Sequence, residues 1–435
     1  MSRGSSIRRW TPPRTSIRLY SDGSDARQSV PNALPECVVT RLNPIYEAME
    51  PTIFEYMSGL AIAHDAINLG QGFPDEAQSP DMIEAAARAM REKSNQYPPA
   101  FGLPELRDAI GRFYGRRQGL RIARDQVVVT SGATEALAAS ILALVRPGDE
   151  VILFQPAYDS YAPMIRRAGG MPVSVHLSPP DWGYDAVALD RAVTPRTRLI
   201  LLNDPLNPAG KVASGPELAL IAAACRRNDL VAICDEVWED VRFDGVSHRS
   251  LWSMPGMEDR TVKIGSAGKI FGLTGWKTGW LCASPDLART IGRAHQFLTF
   301  TTPPALQWAV AEGLDRPDSW FAPQRAAWAA SRERLARGLT DAGFAVLPSA
   351  ATWFLCIDLA ASGIATDDRS FSERAVREAG VASIPVSALF EGEGPRHIVR
   401  LCFAKDAAIL DEAVERLARF RDGLAAEGAD GAGLR

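Results

Sequence analysis

A chain of 435 residues is long enough for two or three domains around a large buried core. Its 48 basic and 52 acidic side chains leave a net charge of -4, which excludes a bulk attraction to nucleic acid or anionic membrane. Apolar residues make up 46% and charged residues 23%, as in ordinary globular proteins, and apolar runs of about four to eight residues are too short for a membrane-spanning helix.

In chain order, the first segment carries Arg3, Arg8, Arg9, Arg14 and Arg18 among Ser, Thr and Pro. It lacks the apolar stretch of a secretory signal, and Pro12 and Pro13 interrupt any amphipathic helix, so a disordered extension is expected. Strands are then predicted at Gln126 to Thr130, Glu150 to Phe154, Pro172 to His176, Arg198 to Asn203, Leu230 to Cys234, Thr261 to Gly265 and Thr278 to Ala283. Helices with 3.6-residue apolar spacing fit at Thr134 to Leu144, Glu217 to Arg226 and Leu287 to Gln296. This alternation predicts an α/β fold with a mostly parallel sheet covered on both faces. From about Ala322 the pattern changes: a long helix to Ala342, strands at Phe344 to Leu347 and Thr352 to Asp358, a helix at Phe371 to Ala379, a strand at His397 to Phe403 and a last helix at Ala408 to Gly423. That is an α+β second domain, followed by a Gly- and Ala-rich tail read as disordered.

Six cysteines (Cys37, Cys225, Cys234, Cys282, Cys356 and Cys402) form no CxxC pair and read as buried thiols of a cytoplasmic protein, so no metal site is expected. Lysine-dependent chemistry has six candidates: Lys93, Lys211, Lys263, Lys269, Lys277 and Lys405. The other 42 basic residues are arginines.

Ligands of an open parallel sheet bind beyond the carboxyl ends of its strands. There the sequence places Ser131 to Thr134 at a helix start, where free N–H groups suit a phosphate. It also places Tyr158 and Tyr161, Asn207, Asp235 and Lys269 at strand ends. Each alone could be turn or capping chemistry, and the tyrosines could simply be core or interface aromatics. Together, a lysine that can form a Schiff base, an acid that can keep a pyridine nitrogen protonated and an aromatic that can cover a ring describe a site for pyridoxal 5'-phosphate.

The ordered series NDPLNPAG (203–210), DEVW (235–238), SAGKIFGLTGWKTGW (266–280) and RLCFAK (400–405) resembles the class I and II aminotransferases of fold type I, over roughly residues 45 to 425. NLGQGFP (68–74), GSAGK (265–269) and GWKTGW (275–280) are most similar to the branch of kynurenine aminotransferase, glutamine transaminase K and methionine aminotransferase. The resemblance implies a large domain over 67–318 with a seven-stranded, mostly parallel sheet. It also implies a smaller α+β domain over 319–424, an arm and part of that domain over 36–66, an extension over 1–35 and a tail over 425–435. It implies Lys269 as the Schiff-base lysine and Asp235 as partner of the pyridine nitrogen. Asn207 would lie at the ring oxygen and Tyr158 on the ring, with Trp238 beside the cofactor in the place of a family Tyr that bonds that oxygen. Gly132, Ala133, Thr134, Ser266, Lys277 and Tyr97 of a neighbouring subunit would hold the phosphate. Arg400, with Gly72 and Asn207, would take the substrate carboxylate, and Phe297 or Phe300, in QFLTFTTPP (296–304), would approach the side chain across a homodimer interface.

Two departures stand out. Trp238 replaces a Tyr usual in the family and can donate only through its indole N–H, and Lys277 stands where most relatives have Arg. The implied reaction moves the α-amino group of an L-amino acid, expected to be methionine, glutamine or an aromatic residue, to a 2-oxo acid. A carbon–sulfur β-lyase on the same fold, or a dicarboxylic or diaminopimelate-type amino donor, is the alternative. A ligand-sensing domain of a transcription regulator would need a helix-turn-helix module that the Arg/Ser/Pro segment cannot supply.

Overall fold

A computed structural model describes residues 42–75 and 79–432, with side chains described through residue 424. The expected extension over 1–35 and Cys37 lie outside the described residues. The chain separates into two compact units, Met1–Glu47 and Ala48–Arg435. In the first, the described structure is the short helix Pro44–Glu47. The second carries everything that follows.

Seven strands form the main sheet: β1 (Val127–Thr130), β2 (Glu150–Gln155), β3 (Met171–His176), β4 (Thr197–Asn203), β5 (Val231–Asp235), β6 (Thr261–Ser266) and β7 (Gly279–Cys282). Their order is β1-β7-β6-β5-β4-β2-β3. Neighbours from β6 to β3 pair in parallel, whereas β7 runs antiparallel to both β1 and β6. Strands such as β1 (VVVT) and β6 (TVKIGS) are buried along their whole length, because helices cover both faces, and they therefore read as continuous apolar runs. The connecting helices start where local chemistry tells them to. Ser214 and Glu217 form a reciprocal capping box ahead of Gly215–Arg227, and prolines open Pro80–Glu92, Pro104–Gln118, Pro285–Leu298 and Pro304–Leu314.

A second, antiparallel sheet has the order β10-β11-β9-β8, from β8 (Ala345–Val346), β9 (Phe354–Asp358), β10 (Ile384–Pro385) and β11 (Ile398–Cys402). The helices Asp318–Asp341 and Ala407–Ala432 pack against each other. One apolar core runs from Val128 and Leu201 of the main sheet to Phe371 and Phe420 of this part, so the boundaries expected at 66/67 and 318/319 fall inside the second unit. The last helix corrects one expectation: it continues to Ala432, where the sequence reading ends it at Gly423 and takes 425–435 as disordered. Alanines at 425, 426, 429 and 432 favour helix strongly enough to outweigh the glycines among them.

Candidate active site

The carboxyl ends of β1, β2, β4, β5 and β6 open onto a cavity of about 520 Å3. Gly72, Gly132, Ala133, Thr134, Tyr158, Asn207, Asp235, Trp238, Ser266, Lys269, Lys277 and Arg400 all line it. The sequence places these residues over more than three hundred positions; parallel strands end on one side and bring them together.

An anion cup lies at the end of β1. The helix Ala133–Leu144 begins there, and its geometry leaves the Ala133 and Thr134 N–H groups without intrahelical partners. Gly132 adopts φ +79, and its own N–H donates to the Thr130 carbonyl at 2.8 Å, so Ala133 and Thr134 rather than Gly132 present free donors. Gly279 lies directly against this turn: a Cβ there would stand 2.7 Å from the Gly132 carbonyl carbon. Lys277, itself at φ 49, reaches over the same turn, and Ser266 caps the short helix that carries Lys269.

Asp235, the last residue of β5, is 5% exposed. Burial raises its pKa, while the Tyr161 hydroxyl, donating to Oδ2 at 2.6 Å, and the Val237 N–H favour the anion. Asn203 ties the neighbouring strand end to it: its side-chain amide donates to the Asp235 carbonyl at 3.0 Å, and its oxygen accepts the Asn207 N–H at 2.9 Å. Tyr158 stands beside Tyr161, with ring centroids 5.8 Å apart. Burial pushes its hydroxyl up to about 12.

Arg400 is 1% exposed. Its guanidinium donates to Asn207 Oδ1 at 3.0 Å and to the Gly70 carbonyl at 2.5 Å, and lies 3.9 Å and 5.0 Å from the ring centroids of Phe354 and Phe54. Burial pulls it down to about 10, and its Nε has no hydrogen-bond partner. A buried guanidinium held by neutral acceptors and two aromatic faces is an anion site in waiting. Because Arg400 occupies the Asn207 oxygen, the Asn207 NH2 is left as a donor toward the cavity.

Lys269 Nζ donates to the Gly72 carbonyl at 3.3 Å. Burial lowers its pKa to about 8, with Arg400 and Lys277 acting the same way and Cys402 and Asp235 opposing. Trp238 lines the cavity. It packs edge to face with Trp353 at 4.9 Å and Phe354 at 5.4 Å, and turns its face to Lys269.

Tyr97 and Phe300 do not line the cavity of their own chain. Tyr97 is 82% exposed, and the two rings meet at 5.4 Å. The sequence placed Tyr161 at a strand end and Asn203 at the head of NDPLNPAG but gave neither a role, and it did not single out Asp159, Phe54 or Phe354, which also line the cavity. The available signal was that Asn203 opens the NDPLN run, and its side chain is buried at a strand end. A further buried titratable cluster, Glu236, Glu239 and His248, follows Asp235 in sequence, and the Lys263 ammonium donates to both glutamates.

The residues fit pyridoxal phosphate. A Cβ on Gly279 would strike the turn at Gly132, whose φ of +79 itself favours glycine; the turn leaves two amides for a phosphate, and Asp235, Lys269 and the buried Arg400 line the same cavity.

The profile of the family described as aminotransferase class I and II matches residues 64–417. The chain is 44% identical over 391 residues to a probable N-succinyldiaminopimelate aminotransferase of Mycobacterium tuberculosis, covering 87% of this chain and 97% of that protein. It is 38% identical to the methionine aminotransferase of Escherichia coli, over 84% and 95% of the two chains. The solved structure of the Mycobacterium tuberculosis N-succinyldiaminopimelate aminotransferase superposes with a TM-score of 0.84, covering 87% of this chain and 99% of that one. A single mutant of the aspartate aminotransferase from Thermus thermophilus, at 30% identity, gives 0.80 over 87% and 99%. The chain thus belongs to the aminotransferase class I and II family and is a pyridoxal-phosphate-dependent aminotransferase of fold type I.

Proposed function

We propose that this aminotransferase takes the α-amino group from an uncharged L-amino acid such as methionine, glutamine or an aromatic residue, and gives it to a 2-oxo acid. The observation that carries this reading is the cavity's charge pattern. Arg400 is the only arginine among its described lining residues, and the remaining side-chain space is bounded by Phe54, Phe73, Tyr158 and Phe354. With Arg400 on the α-carboxylate, a second carboxylate would meet Asp159, whose own pKa burial already raises, and desolvating it unpaired is costly.

Pyridoxal phosphate supplies, when bound, an aldehyde for the amino group and an electron-withdrawing ring. The chain's residues do the rest. Ala133, Thr134, Ser266 and Lys277 would hold the phosphate, Tyr158 would cover the ring and the Asn207 NH2 would donate to the ring oxygen. Asp235, whose anion the Tyr161 hydrogen bond favours against burial, would hold a proton on the ring nitrogen. Arg400 fixes the substrate carboxylate with a two-pronged grip, so that the Cα–H points at Lys269 Nζ. A lysine brought to about 8 is partly neutral near pH 7.5 and can take that proton as a base.

Tyr97, Phe297 and Phe300 support a homodimer with shared sites: Tyr97 is 82% and Phe297 88% exposed, and the patch they form with Leu298 and Phe300 is apolar. The free buried thiols of Cys225, Cys234, Cys282, Cys356 and Cys402 support a cytoplasmic location. A second reading, an N-acylated diaminopimelate donor, is favoured by the 44% identity to the Mycobacterium tuberculosis relative. The deciding experiment is kcat/KM for methionine, glutamine and phenylalanine against aspartate and N-succinyl-diaminopimelate, with one common oxo acid. The uncharged donors are expected to lead; a lead for N-succinyl-diaminopimelate establishes the second reading, and a lead for aspartate overturns both.

A further inference from the structure

Lys269 has no ion-pair partner among the described residues, and its one hydrogen bond is the 3.3 Å contact to the Gly72 carbonyl. Two indole faces surround it instead. Nζ lies 4.5 Å from the ring centroid of Trp238 and 5.0 Å from that of Trp353. The two rings meet edge to face at 4.9 Å and 82°, which forms a corner with a face on each side of the amine. Trp328, 5.3 Å from Trp353, backs the corner.

The same rings show what the corner is for. The buried indole N–H groups of Trp353 and Trp328 find no acceptor, a standing cost. Trp353 is completely buried, so neither a hydrogen bond nor solvent contact accounts for an indole there; its ring face is what meets a polar group. Indole is also the strongest cation-binding face among side chains, and at position 238 it stands where the family usually carries a Tyr.

We propose that Trp238 and Trp353 are positioning residues that hold the charged form of the Lys269 amine by cation–π contact whenever it is not bonded to the cofactor. The inference rests on Lys269 being the cofactor lysine. In the proton transfer, the substrate Cα–H bond breaks and an N–H bond forms at Nζ, so the lysine passes from neutral amine to ammonium. A corner that binds the ammonium favours that direction and keeps the proton-bearing nitrogen in place for its return.

Other charged and titratable groups face the same nitrogen: Asp235 from β5, Arg400 and Cys402 from β11, and Lys277 beyond the Thr274–Trp276 turn. Asp235 and Cys402 favour the ammonium, while Arg400 and Lys277 oppose it. These stay in place in tryptophan variants, so the ring contribution can be read alone.

The test is trace acetylation of the apoprotein with acetic anhydride across a pH series, following the Lys269 peptide by mass spectrometry. In Trp238→Leu and Trp353→Leu the labelling midpoint should fall by about one pH unit, a tenfold loss of proton affinity. Trp238→Tyr and Trp353→Phe keep a ring and should move it down by less than half as much, and they report even where a leucine variant fails to fold. A midpoint that is unchanged or raised in the ring-retaining and leucine variants alike overturns the proposal, as does an equal fall in both. A cofactor attached to some other lysine would defeat the functional reading while leaving this labelling result standing.

Discussion

A carboxylate as enclosed as Asp235 is pushed by burial toward its neutral acid, and the site spends two hydrogen bonds, from Tyr161 and Val237, to favour the anion. That arrangement is wasted on a mere strand-end cap, which would need no tyrosine beneath it. Asp235→Asn should therefore keep the cofactor, because the phosphate cup and Lys269 are untouched, yet lose turnover by roughly 10²–10³-fold. Single-turnover amino-group transfer measures this; near-normal turnover would reduce Asp235 to a structural cap. The residue scale is also where the sequence was most and least informative. Lys269, Asp235, Asn207 and Arg400 sit in runs with strict order and spacing, whereas Tyr161 differs from Tyr158 only by which way a turn faces. Trp238 was identified as a departure, but the corner it forms around Lys269 is shared with Trp353, more than a hundred positions away.

At the scale of elements, the helix that opens the anion cup is tied to the helix bearing Phe297. His295 on Pro285–Leu298 presents Nδ1 to Glu135 Oε1 at 2.6 Å and Nε2 to the Ala100 carbonyl at 2.8 Å. An ionised Glu135 and the Ala100 carbonyl are both acceptors, so the pair of contacts favours the doubly protonated imidazolium. Thr299 and the Ser131 N–H complete the Glu135 carboxylate, at 2.7 Å and 2.5 Å. Burial pulls the His295 pKa down, but Glu135 more than offsets it and the net shift is upward. A raised histidine contributes its full stability below the unfolded value of about 6.5 and loses it as pH rises through the higher folded value. The Tm gap between wild type and His295→Gln should be widest at slightly acid pH, from a loss on the order of 1–3 kcal/mol, and narrow above neutrality. A gap independent of pH would contradict the imidazolium. Strand positions were legible because fully buried strands make unbroken apolar runs; the reversal of β7 was not, since such a run carries no direction. The helices Ile53–Ala63, Pro80–Glu92, Pro104–Gln118 and Pro304–Leu314 went unassigned, although prolines mark three of their starts.

For the whole molecule, the cavity lacks Tyr97 and Phe300 from its own chain, and the exposed apolar patch that carries them is the surface a second copy would cover. Light scattering should give about twice the chain mass of 47.1 kDa. Phe297→Asp, which places a charge at the centre of that patch, should yield monomers that bind the cofactor more weakly; an active monomer would refute the shared site. Fold class and cofactor were readable from the sequence because several weak motifs share one address at the strand ends, which chance does not arrange. The measurement that bears most directly on the whole account is borohydride reduction of the cofactor-loaded protein followed by peptide mapping. The pyridoxyl group should be found on Lys269, in the peptide following β6; its appearance on Lys263 or Lys277 would contradict the assignment of the site.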